Sequence, residues 1–181
     1  MALKATIYKC DLNIADMDRH YYADHALTVA KHPSETDERL LVRMLAFARF
    51  ASDSPEFTKD LFETDQPALW SRDLTGALTL WIELGQPDET KIRKACNRVD
   101  QVVVISYAHS TDTWWKTVDS KVARMDNLTV LQLPWPTLQT LAVQLNRGMQ
   151  MQINVQEGDW SVAIGDGEPI ALDWIELKKA K

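Results

Sequence analysis

Ala77-Leu78-Thr79-Leu80-Trp81-Ile82-Glu83-Leu84-Gly85 reads as an apolar β-strand that carries one carboxylate near its end. The run that follows, Gln86-Pro87-Asp88-Glu89-Thr90-Lys91-Ile92-Arg93-Lys94-Ala95-Cys96, puts proline and acids first and basic residues behind. A helix dipole favours that order, so the spacing predicts a helix over about 87–98. Gln101-Val-Val-Val-Ile-Ser-Tyr107 is then a continuous β-branched run of the kind buried on both sheet faces. Strand, helix and strand in this order make a right-handed crossover between parallel strands, which sets the fold class as α/β.

Working outward, residues 4–14 and 20–30 are rich in β-formers and are joined by a polar run, which predicts an N-terminal β-hairpin. His32-Pro33-Ser34-Glu35-Thr36-Asp37-Glu38 offers a capping hydroxyl and first-turn acids ahead of Leu40, Leu41, Met44, Leu45 and Phe47, predicting a helix over 34–51. A short helix is expected around Pro55–Phe62, and a strand over 70–76 ends in a turn at Gly76. Downstream, a helix over 111–122, a strand over 128–133 and a helix over 136–146 continue the alternation. Strands over 149–156, 159–164 and 169–177 close the chain in antiparallel fashion, with Asp166-Gly167 as a turn. With no repeat and no low-complexity tract, the expectation is one mixed α/β domain over 1–181, a central sheet flanked by helices.

The bulk numbers agree with a globular chain. Of 181 residues 45% are hydrophobic and 25% charged, enough for a sizeable core. A net charge of −6 argues against nucleic-acid binding by bulk electrostatics, so any such contact must be local. Cys10 and Cys96 lack paired spacing, and His20, His25, His32 and His109 form no zinc pattern with them. That, with no apolar leader and no stretch long enough to span a bilayer, predicts a reduced cytoplasmic protein without a membrane partner. Neither G-x-S-x-G nor a phosphate-cradling glycine motif occurs, which disfavours acyl transfer and nucleotide binding of those kinds.

The carboxylate of Glu83 is the first candidate for chemistry, because a strand so apolar must neutralise or use it. Alternation puts Leu78, Leu80, Ile82 and Leu84 on one face and Thr79, Trp81 and Glu83 on the other. The plain alternative is a structural acid at the margin of a solvated face. Glu38 falls about 20° from Leu45 around its helix, at the border of the apolar stripe, and could point to the sheet; it could equally serve the dipole or pair with Arg39 or Arg43. Glu35 is a weaker candidate of the same kind. Lys91 and Lys94 lie on neighbouring positions of the helix after Glu83, either reaching a bound oxyanion or forming a solvated basic face. Seven tryptophans, with Trp114 and Trp115 adjacent on one helix, could pack the core or leave one ring half-exposed to stack bases.

Met1-Ala2-Leu3-Lys4-Ala5-Thr6-Ile7-Tyr8-Lys9, His32-Pro33-Ser34-Glu35-Thr36-Asp37-Glu38-Arg39 and Leu80-Trp81-Ile82-Glu83-Leu84-Gly85-Gln86-Pro87-Asp88-Glu89 closely resemble the bacterial YaeQ family. The resemblance runs over essentially the whole chain and implies a restriction-endonuclease-like, PD-(D/E)XK variant fold. In active nucleases of that kind an Asp after Pro and an acid on the next strand bind Mg²⁺, and a Lys two residues on activates water. Glu83 matches the second acid. The Pro-Asp pair reads Pro67-Ala68 and the lysine position holds Gly85, so the resemblance places Asp73, or else Asp65, as the replacement metal ligand. It places Lys94 first and Lys91 second as the replacement cation, with Glu38 as an accessory helix acid. The implied activity is Mg²⁺-dependent phosphodiester hydrolysis of DNA or RNA. The alternative is an inactive nuclease-like module that binds nucleic acid or a protein partner, with transcription as one setting.

Overall fold

The computed structural model describes residues 4–58 and 65–181. The protein is mixed α/β, with two sheets where the sequence suggests one, and four α-helices among the described residues. The chain divides into two compact units, Met1–Ala48 with Pro136–Asp173 and Arg49–Trp135 with Trp174–Lys181.

The first unit holds a five-stranded sheet. Strands β1 (Thr6–Asp16) and β2 (Tyr21–Lys31) form the expected antiparallel hairpin. Strand β8 (Gly148–Gln156) pairs parallel with β1, then β9 (Asp159–Ile164) and β10 (Ile170–Leu172) follow antiparallel. Period-two alternation sends Cys10, Leu12, Ile14, Met151, Ile153 and Val162 into the core, while Asp11, Asn13, Gln150 and Gln152 face solvent. Helices α1 (Asp37–Arg49) and α4 (Trp135–Ala142) belong chiefly to this unit.

The second unit is built on a six-stranded sheet. Its order is β11 (Ile175–Lys178), β7 (Leu128–Gln132), β6 (Gln101–Ser106), β5 (Leu78–Leu84), β4 (Leu69–Arg72) and β3 (Glu56–Phe57). Strands β5, β6 and β7 run parallel, as crossovers through α2 (Glu89–Cys96) and α3 (Thr111–Val122) require. The two helices cover one sheet face in a core of Trp81, Ile92, Ala95, Val102, Val104, Val122, Leu128 and Val130. Leu80, Ile82, Val103 and Ile105 are also fully buried on the opposite face, which is why these strands read as unbroken apolar runs.

Three expectations change. The segment expected to be a helix from Pro55 starts instead as β3, because Glu56 and Phe57 satisfy their backbone against Trp70 and Leu69; residues 59–62 of that expectation lie outside the described residues. The expected strand over 169–177 is two strands in different sheets, Ile170–Leu172 on β9 and Ile175–Lys178 on β7. Leu78 also leaves the Leu80 face. A register shift opposite Ser71 and Arg72 turns it toward the Trp81 core, as a bulge does.

Candidate functional site

Glu83 is buried, and its face of β5 is roofed by helices, not solvated. Both carboxylate oxygens are engaged. Lys91 Nζ donates to Oε1 at 2.7 Å, and Trp81 Nε1, two residues back on the same face, donates to Oε2 at 3.3 Å. The ion pair is lopsided in exposure, with the Lys91 side chain 38% accessible and that of Glu83 10%.

Local structure explains why Lys91 makes this contact. Asp88 caps α2 by accepting the Lys91 backbone N–H at 2.8 Å, which fixes Lys91 in the first turn, just past the end of β5. Pro87 is held from the other side, its carbonyl accepting from Trp114 Nε1 at 3.0 Å. Lys94, expected first of the two, lies on the exposed side of α2, and it is Lys91 that meets Glu83. The pattern of acids first and bases last predicted the helix, but the cap decides which lysine faces the strand.

The chain bends sharply at Gly85, with φ at +97°. A side-chain-bearing residue, the lysine that the resemblance leads one to expect included, is strained there, and glycine is not. The Pro67-Ala68 segment is equally informative. Leu69 pairs with Ile82, and Ala68 N–H also donates to Ile82 O at 2.9 Å, so the β4–β5 ladder ends here, with Ala68 beside Ile82 at its margin. Ala68 is buried and offers a methyl group, not a ligand.

Asp73 does not substitute for it. It sits in the turn before β5, and Leu78 and Glu83 are five positions apart, roughly 16 Å along a strand. Its carboxylate closes that turn instead, accepting from the Thr75 hydroxyl at 2.6 Å, Thr75 N–H at 2.8 Å and Ala77 N–H at 3.0 Å. The Thr75 hydroxyl, with these backbone donors, holds the Asp73 carboxyl below the ordinary range. Asp65 is exposed. Glu38 lies half-buried on α1 of the first unit, and its expected partners belong to another acid: Glu35 binds Arg39 Nη1 at 3.0 Å and Arg43 Nη1 at 3.2 Å. Among the described residues no three His, Cys, Asp or Glu side chains group as a metal site. Mg²⁺ wants near-octahedral oxygen ligation, and one carboxylate already bound by an ammonium and an indole does not fit it.

Nucleophilic chemistry at sulfur is disfavoured too. Burial pushes the thiols of Cys10 and Cys96 up to about 11 from an ordinary 9.0, which leaves little thiolate at neutral pH. The helical layer carries a local positive charge. Residues 89–124 carry seven Lys and Arg against four Asp and Glu, and Arg93, Lys94, Arg98, Lys116, Lys121 and Arg124 are all exposed. Of the net −6, the first unit holds −5, seven basic against twelve acidic residues, and the second only −1, thirteen against fourteen. Trp114 and Trp115, both half-buried in this layer, stand 5.9 Å apart. No helix among the described residues is long and apolar enough to cross a membrane.

Comparison with known proteins covers the chain nearly end to end. The YaeQ protein family model matches residues 1–171. The YaeQ proteins of Salmonella typhi and Escherichia coli K12 are 43% and 41% identical over 159 residues, covering 87% of this chain and 88% of theirs. The crystal structure of YaeQ from Xanthomonas axonopodis pv. citri superimposes with a TM-score of 0.92 at 46% identity, over 98% of this chain and 99% of that one. That of Pseudomonas syringae YaeQ gives 0.91 at 30% identity, over 97% of each. The chain therefore belongs to the YaeQ family.

Proposed function

We propose that this protein is a nucleic-acid-binding module on a PD-(D/E)XK-like framework, one that does not hydrolyse phosphodiesters. The observation that carries the reading is the Lys91 ammonium on Glu83, in a chain that has Ala68 after Pro67 where the motif would have an aspartate. A cation of the chain's own occupies the carboxylate where a nuclease would use metal, and the partner acid is missing. What remains of a nuclease surface is electrostatic. The α2 and α3 layer gathers exposed arginines and lysines in the less acidic unit, with tryptophans between them, a combination suited to tracking phosphates beside stacked bases.

Fluorescence anisotropy with labelled single- and double-stranded oligonucleotides tests this. Binding is expected at low salt, falling steeply as salt rises because phosphate contacts release counterions. Arg93→Glu combined with Lys94→Glu and Arg98→Glu should weaken it by at least about tenfold, the loss of a few phosphate contacts. Absence of binding to either substrate at low salt contradicts the proposal.

A further inference from the structure

The sheet of the first unit ends on β2, and that edge is open. Lys9 and Met17 donate their N–H groups to Arg147 O at 2.7 Å and Val155 O at 2.9 Å, so odd-numbered residues of β1 face β8. Their partners across the hairpin, Thr28, Ala26, Asp24 and Tyr22, must turn their own N–H and C=O groups away from the sheet. The side-chain bond from Asn13 to Asp24 at 2.7 Å fits such a close, non-hydrogen-bonded pair. Among the described residues no backbone group of these four has a partner on the outer side. The next carbonyl in the row, that of Ala30, is closed by Arg43 Nη1 at 3.0 Å.

Exposed edges invite pairing, and proteins blunt them with short strands, proline or bulges. Among the described residues the other edge strands obey this: β10 has three residues, β11 four and β3 two. Strand β2 runs for eleven, with no proline and no bulge.

We propose that β2 is a self-association edge, on which two copies of this chain pair antiparallel about a two-fold axis at His25. The open groups run from Tyr22 to Thr28, and His25 is their midpoint, so this register alone uses all of them and stops short of the carbonyl that Arg43 closes. The side chains are compatible with their own copy. On the open face Tyr22, 61% exposed, meets Thr28 of the second copy, and Asp24 meets Ala26, so no like charges oppose directly. On the other face half-buried His25 meets its own copy at the axis, Ala23 meets Leu27 and Tyr21 meets Val29.

The register makes a signed prediction at Ala26, which would lie between Asp11 of its own chain and Asp24 of the other. Sedimentation velocity of the full chain from micromolar to millimolar concentration should show a reversible monomer–dimer equilibrium. Ala26→Lys should tighten it and Ala26→Glu weaken it, each by about tenfold, since the contact occurs twice across the axis. Thr28→Pro removes an outward N–H and no internal bond, and should leave a folded monomer by circular dichroism. A wild-type chain that stays monomeric at the highest concentration overturns the proposal. So does a pair of Ala26 substitutions that shift association in the same direction or not at all.

Discussion

Glu83 shows how an apolar strand accommodates a single carboxylate. Its isolation in an apolar strand marked it as needing a partner, and it has two, Lys91 and Trp81. Sequence could place Trp81 on its face by alternation, but could not choose Lys91 over Lys94, because the choice depends on where Asp88 caps α2. Nor could it show that Gly85 holds a positive φ, a backbone in which a lysine would be strained. Because the pair is only partly buried, Lys91→Met should cost about 2 kcal/mol in urea unfolding, below the roughly 3–5 kcal/mol of a fully buried pair. Adding Glu83→Gln should recover part of that loss, since the uncompensated carboxylate is what the single substitution leaves behind. Strict additivity of the two changes would contradict this account.

At the level of elements the central crossover was legible. Strand β5, helix α2, strand β6 and helix α3 fall within two residues of their expected ends, because periodicity, caps and β-branched runs agree there. Where tertiary partners decide, pattern fails. Ile170 to Leu177 looks like one strand, yet its halves join different sheets, and β3 exists only because β4 offers an edge. The entry to α1 is another such case. Its position suggests a first-turn acid for Glu35, but Glu35 is buried and joins the loop before α1 to Arg39 and Arg43, while Arg43 also holds the β2 carbonyl of Ala30. Glu35→Ala deprives a buried guanidinium of its carboxylate and should destabilise the protein by roughly 3–5 kcal/mol. A loss under about 1 kcal/mol in the same unfolding experiment would show that Glu35 does not hold this junction.

For the whole molecule, family membership and the mixed α/β class follow from the sequence, whereas its division into two units does not, because a single apolar run can belong to either sheet. Charge is divided along the same line, which a net figure of −6 conceals. The central claim is that an internal ammonium and a missing acid leave this framework without hydrolysis. A cleavage assay with Mg²⁺ and then Mn²⁺ on labelled single- and double-stranded DNA and RNA tests it most directly, run on the wild-type chain beside Glu83→Gln. The account predicts intact substrates for both proteins at every metal concentration; metal-dependent cleavage by the wild type that disappears in Glu83→Gln would contradict it.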